Sequence, residues 1–181
     1  MIELNEIFLR QMMLLLGFDG VWVNLVMMCI TTVDYMVVHN GREMGPIIPR
    51  CGLRQGDPLL PYLFLICAEG LSSILYNYTD KGLIHDCNVA RNALVVSHLF
   101  FADDSFLFFK SNMQECGMIK KCLDAYERAS GQVVNFQKSS IFFSWNKHDK
   151  GYFCIYFISL YLVFLYCLSL ILGTFMWVFI L

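Results

Sequence analysis

The sequence predicts an α+β domain: an antiparallel sheet with helices packed on it, followed by an apolar C-terminal helix. Three observations carry this. Residues 97–101 and 105–109 are short runs of bulky apolar residues joined by Ala102-Asp103-Asp104, which reads as strand, tight turn, strand. A second hairpin is signalled by Asn40-Gly41, a dipeptide suited to two-residue turns, between segments of alternating pattern. Residues 113–129 show helical periodicity, with Met118, Ile119, Leu123 and Tyr126 on one face and Lys120, Lys121 and Glu127 on the other.

The composition is apolar, 57% hydrophobic and 15% charged, but unevenly so. Every Lys, Arg, Asp, Glu and His lies at or before Lys150, and residues 151–181 carry no charge. The chain therefore divides into a globular part, residues 1–145, and a hydrophobic tail, residues 146–181. A net charge of −2 argues against strong phosphate binding by this chain alone, because counterion release requires clustered Lys and Arg. The eight cysteines show neither a CxxC pair nor a zinc spacing, and several lie in apolar runs. They read as thiols in a reducing compartment, with no disulfide partner expected.

In chain order, residues 8–16 predict a helix closed by Gly17 as a left-handed cap. Residues 21–30 are apolar nearly all round and predict a buried helix. Val33, Tyr35 and Val37 alternate with Asp34 and Met36 as a strand, and residues 42–48 return from Asn40-Gly41. All four prolines fall between residues 46 and 61, in a structured loop that enters a helix over 62–76, with Asp57 as its cap and Pro58 in its first turn. Arg54, Gln55 and Gly56 stand just before that helix N-terminus, a place that attracts phosphate. Residues 133–144 read as a turn and a strand, and Lys138 by itself reads as a solvated surface lysine.

The acidic pair decides the chemistry. Alone, Asp103-Asp104 needs no more than a polar turn, since Asp bonds nearby backbone N–H groups. On a stiff apolar ribbon it also suits Mg²⁺, which takes one or two carboxylates plus substrate phosphates. Alternation along a strand keeps the two acids from pointing the same way, so one faces the site and the other supports it.

Taken together, 52–58 (Gly-Leu-Arg-Gln-Gly-Asp-Pro) with 61–64 (Pro-Tyr-Leu-Phe), then 101–104 (Phe-Ala-Asp-Asp), then Ser130-Gly131-Gln132 through Asn135 to Lys138-Ser139, resemble a reverse transcriptase in order and spacing. The resemblance is to plant LINE-type (non-LTR) retrotransposons and covers roughly residues 7 to 145. It implies a partial polymerase palm and fingers acting on an RNA template, a DNA primer and dNTPs. It also implies Mg²⁺ bound by Asp103 and supported by Asp104, with Phe101 near the primer end. Arg54, Gln55 and Gly56 would lie against template and nucleotide, and Lys138 would protonate the leaving pyrophosphate. The implied reaction is attack of a primer 3′-oxygen on a dNTP α-phosphorus, with two metals stabilising the attacking and leaving oxygens.

The departures from the family pattern shape the expectation. The family's first catalytic Asp, on a strand central to the palm, belongs to a Phe-Asp-x-x-Lys-Ala-Tyr-Asp motif that has no counterpart here; Glu3 and Glu6 are the only acids in the corresponding stretch. Two ions about 3.5–4 Å apart need carboxylates from two elements. Cys51 replaces a usual Arg and Leu60 a usual Ser. The expectation is a truncated, catalytically dead reverse transcriptase fragment whose sheet lacks a central strand and exposes an edge. The alternatives are a non-enzymatic, membrane-tethered protein reusing the palm fold, or a palm completed in trans by another chain. Residues 153–181 are long enough to span a bilayer as a helix, flanked by Lys147 and Lys150, which would place the N-terminal domain in the cytosol. Without any polar seam the same run also fits translated non-coding sequence.

Overall fold

The computed structural model describes residues 5–47, 58–88, 94–101, 104–146 and 151–159. The chain forms two compact units, Met1–Cys67 and Ala68–Leu181. The expected α+β class is what is found.

In the first unit, α1 (Glu6–Leu15) is capped by Asn5, whose side chain accepts from the Ile7 and Phe8 N–H groups, and the chain leaves it through Gly17 at φ 87°. Asp19 caps α2 (Gly20–Thr31) in the same manner. The two helices pack on each other, and Arg10 donates to Asn24 at 3.3 Å. The expectation that residues 21–30 are buried all round fails. Val23 and Val26 are buried, whereas Val21, Trp22, Leu25 and Met28 are exposed. Apolar residues around a whole helix need neighbours on every side, and a unit this small has too few elements to supply them. The hairpin of β1 (Tyr35–His39) and β2 (Arg42–Ile47) follows the turn chemistry: Asn40 and Gly41 both take positive φ, and His39 pairs with Arg42.

The helix α3 (Leu60–Asp80) starts two residues before the expected 62 and runs four beyond the expected 76, although Pro58, expected in its first turn, lies ahead of it. Pro58 and Leu59 form a turn, the Leu59 carbonyl accepts from the Leu63 N–H, and Pro61 rather than Pro58 lies in the first helical turn. The expected cap, Asp57, lies outside the described residues. Gly82 at φ 64° turns the chain away from the end of α3. Among the described residues, α3 is long and apolar enough to cross a membrane, but more than half of that stretch is buried within the protein.

The second unit is built on a four-stranded antiparallel sheet of order β5 (His98–Phe101), β6 (Asp104–Lys110), β8 (Gly151–Ser159), β7 (Ser140–Asn146). A short ladder, β3 (Cys87–Asn88) with β4 (Val95–Val96), stands beside it. Between β6 and β7 runs α4 (Met113–Ser130), opened by Asn112 and closed by Gly131 in the left-handed region. Ser105, Leu107 and Phe109 of β6, Ile119, Cys122, Leu123 and Tyr126 of α4, and Cys154 and Ile158 of β8 are buried. Burying each large apolar side chain is worth about 1.5–3 kcal/mol.

The tail departs from expectation. Residues 153–159 are not the start of a helix: they belong to β8, an interior strand of the sheet. A short aromatic and β-branched run reads as strand or helix by hydrophobicity alone, and here unpaired backbone on both flanks selects the strand. Residues 160–181 lie outside the described residues. In the sheet β8 lies between β6 and β7 and pairs with both.

Candidate functional site

The acidic hairpin forms with a tighter turn than expected. Phe101 pairs with Asp104, so Asp104 is the first residue of β6, not part of the turn, and only residues 102 and 103 lie between the strands. Asp104 is half-buried and Phe101 is exposed. Asp103, the expected metal ligand, lies outside the described residues, as do Arg54, Gln55 and Gly56.

Lys138 reaches the same end of the sheet by a separate route. Asn135 Oδ1 accepts from the Gln137 and Lys138 N–H groups, and the Asn135 carbonyl accepts from the Lys138 N–H and the Ser139 hydroxyl. This turn delivers the chain to Ser140, which pairs with Phe157, itself paired with Phe106 two residues from Asp104. Lys138 is exposed, as a surface lysine or a group meeting a polyphosphate would both require.

Two polar clusters hold the hairpin, and the sequence reading found neither. At the far end of β6, buried Glu115 accepts from the backbone N–H groups of His85 (3.1 Å) and Lys110 (3.0 Å) and from Asn112 Nδ2 (3.1 Å), and its Oε1 lies 2.9 Å from His85 Nδ1. Asn112 Oδ1 in turn accepts from the Glu115 N–H. One carboxylate thus ties the exit of β6, the start of α4 and the segment before β3. The signal was present as Asn-x-x-Glu at the head of a helical pattern, a reciprocal cap.

The other cluster joins β5 to α3. His98 Nε2 lies 2.9 Å from Ser72 Oγ, and Nδ1 lies 2.7 Å from Ser97 Oγ, while Tyr76 and Phe100 contact the ring. Burial pushes the His98 pKa down, against the weaker opposing pull of Glu69 and Asp86, so the neutral ring donates to one hydroxyl and accepts from the other.

Burial pushes Cys67 and Cys122 up to about 12. Burial also raises Cys116, followed by its interaction with Cys154, with which it shares a hydrogen bond. A cavity of about 320 Å³, lined in part by Thr79, His85, Asp86 and Lys110, lies at the opposite end of β6 from the acids.

A family model described as reverse transcriptase (RNA-dependent DNA polymerase) matches residues 12–155. The chain belongs to the reverse transcriptase family. The match continues past Trp145, where the resemblance was expected to stop, and into β8. Reverse transcriptases use divalent metal ions and bind a template and a primer. The chain is also similar to an uncharacterized mitochondrial protein of Arabidopsis thaliana, AtMg01250, with 41% identity over 70 residues, which is 39% of this chain and 57% of that protein. It thus spans little more than half the length of this curated relative. No solved structure matches. Set against the family's metal requirement, the described residues offer Asp104 at the hairpin, and among them no group of three or more His, Cys, Asp or Glu converges on a common point.

Proposed function

We propose that this chain is the palm portion of a retrotransposon reverse transcriptase of the LINE type, and that the 181-residue polypeptide does not itself polymerise DNA. The first part rests on three motifs in register: the 52–58 loop, the Phe101-to-Asp104 turn, and the 130–139 segment ending in Lys138-Ser139. The similarity to a plant mitochondrial protein supports a plant element.

The second part rests on one observation. The strand beside Asp104 is β8, and its residue in register with Asp104 is Ser159. In-line displacement on a dNTP needs carboxylates from two elements to hold the ions that stabilise the attacking and leaving oxygens. Asp103 and Asp104 come from one hairpin, and β8 brings no acid to meet them. In a related chain with the second carboxylate, Asp103 would take the metal, Asp104 would support it, and Lys138 would face the leaving phosphate. Primer extension on a primed RNA template with Mg²⁺ and dNTPs tests this. The expected result is no incorporation above background. Incorporation that Asp103→Asn abolishes would overturn the inactive reading.

A further inference from the structure

The four-stranded sheet has two outer strands of different kinds. β5 is four residues long and lies against α3 through His98, which meets Ser72 and Tyr76. β7 is seven residues long, pairs with β8 in an unbroken register on one side and, among the described residues, has no strand on the other. Its outer row of backbone donors and acceptors is left for a partner. Edge strands are ordinarily guarded by a charge, a proline or a bulge. β7 has none of these: residues 140–146 include no Lys, Arg, Asp, Glu or Pro, and the register with β8 does not slip. Three consecutive large apolar side chains stand exposed along it, Ile141 at 51%, Phe142 at 57% and Phe143 at 66%.

Both faces of this edge are open. Phe143 is in register with Cys154 and Phe109, and Ile141 with Tyr156 and Leu107, so both lie on the side of the sheet where Leu107, Phe109 and Cys154 are buried. Their own exposure leaves room there for a neighbouring sheet. Phe142 lies on the other side, in the row of Ile155 and Phe108. A strand added to such an edge gains backbone hydrogen bonds and apolar contact together. A second copy of β7 is suited to it. The strand is uncharged, so pairing with itself sets no like charges opposite each other, and an antiparallel contact between two identical edges closes after two copies. Parity then fixes the register. A two-fold axis normal to the sheet keeps each residue on its own face, and paired residues share a face, so partners differ by an even number of positions. Full overlap of the strand centres on Phe143, which meets its own symmetry mate, with Phe142 opposite Ser144 and Ile141 opposite Trp145.

We propose that the outer edge of β7 is a homodimer interface: two copies pair their β7 strands antiparallel about a two-fold axis at Phe143, joining two four-stranded sheets into one. The contact is one strand wide, so the dimer is held in equilibrium with the monomer rather than permanently. The surface is separate from the acidic hairpin and does not depend on the reverse transcriptase reading, since β7 and Asp104 are two strands apart in the sheet.

The test uses the full chain in a non-ionic detergent and analytical ultracentrifugation over a range of concentrations. A monomer–dimer equilibrium is expected. Phe143→Lys sets two ammonium groups opposite each other across the axis and should weaken the dimer by about ten-fold or more. Phe143→Glu should do the same, and an equal mixture of the two variants should recover dimers, because each cation then faces a carboxylate. Val38→Lys, at an exposed position of β1, should change nothing. In the unaltered chain, amide exchange across residues 140–146 should slow as concentration rises. A monomer at every concentration overturns the proposal, as does growth beyond the dimer or a mixture of the two Phe143 variants that stays monomeric. A dimer indifferent to Phe143→Lys, the result expected if the uncharged C-terminal residues carried the association, also overturns it, as does an equal loss in Val38→Lys. Should the Phe143 variants not fold, the exchange measurement on the unaltered chain decides: protection of 140–146 that does not change with concentration refutes the interface.

Discussion

Two of the hairpins among the described residues, β1–β2 and β5–β6, are of similar length, and their fates differ. The β1–β2 hairpin is a two-stranded ribbon with Met36, Val37, Val38 and Met44 exposed. The β5–β6 hairpin adds β8 along one edge and buries Leu107 and Phe109 almost completely. Turn chemistry explains both hairpins and does not separate them. What separates them is a third strand and a helix: a two-stranded ribbon is marginal in water, and a further strand with an apolar face supplies the burial that stabilises it. A polymerase needs its acids on the stiff kind of support, and the acidic hairpin is of that kind.

Core truncation should widen the contrast most. Phe109→Ala should cost the second unit about 3–5 kcal/mol, whereas Val38→Ala in β1 should stay within about 0.5 kcal/mol, both measured by urea unfolding. Comparable losses at the two positions would erase the distinction. The next effect concerns the anchor of β6. Glu115→Ala leaves two part-buried backbone N–H groups and the Asn112 amide without their acceptor, at up to about 1–3 kcal/mol for each group that water does not reach. Glu115→Gln, which keeps an acceptor oxygen, should retain part of the stability, and amide exchange at Lys110 should speed up more in the Ala variant.

The smallest effect is a pH dependence confined to the second hairpin. The His98 pKa is depressed in the folded protein, so the unfolded chain binds the proton more readily. Its contribution to stability is complete above the ordinary histidine value of about 6.5 and is lost as pH falls from there through the depressed folded value. Unfolding followed between pH 7.5 and pH 5 should show this loss, and His98→Gln should flatten that part of the profile. An unchanged profile would remove His98 from the hairpin's support.

Local chemistry was legible in the sequence and long-range pairing was not. Asn40-Gly41, Gly17 and the strand character of 105–109 act through their own backbone preferences, so each was readable where it stood. The burial of Glu115 depends on His85, thirty residues away, and no local pattern encodes that contact. β8 was misread for the same reason. Its run of Phe, Tyr, Cys and Ile is compatible with a membrane helix, and only the two backbone rows of β6 and β7 select a strand. Of the site, the Phe101–Asp104 end was readable, although the turn is one residue shorter than expected. Lys138 stands out by its motif, but its arrival at the acidic end of the sheet depends on the β7–β8 register.

The placement of β8 has a consequence for synthesis on the ribosome. Translation delivers both outer partners, β6 and β7, before the strand that joins them. Until Gly151–Ser159 emerges, the nascent sheet has two open borders facing each other across an empty lane, and strand borders of that kind recruit other chains. Closure must therefore come late and from the C-terminal side, so a ribosome stalled before residue 151 would hold a chain that cannot complete its sheet.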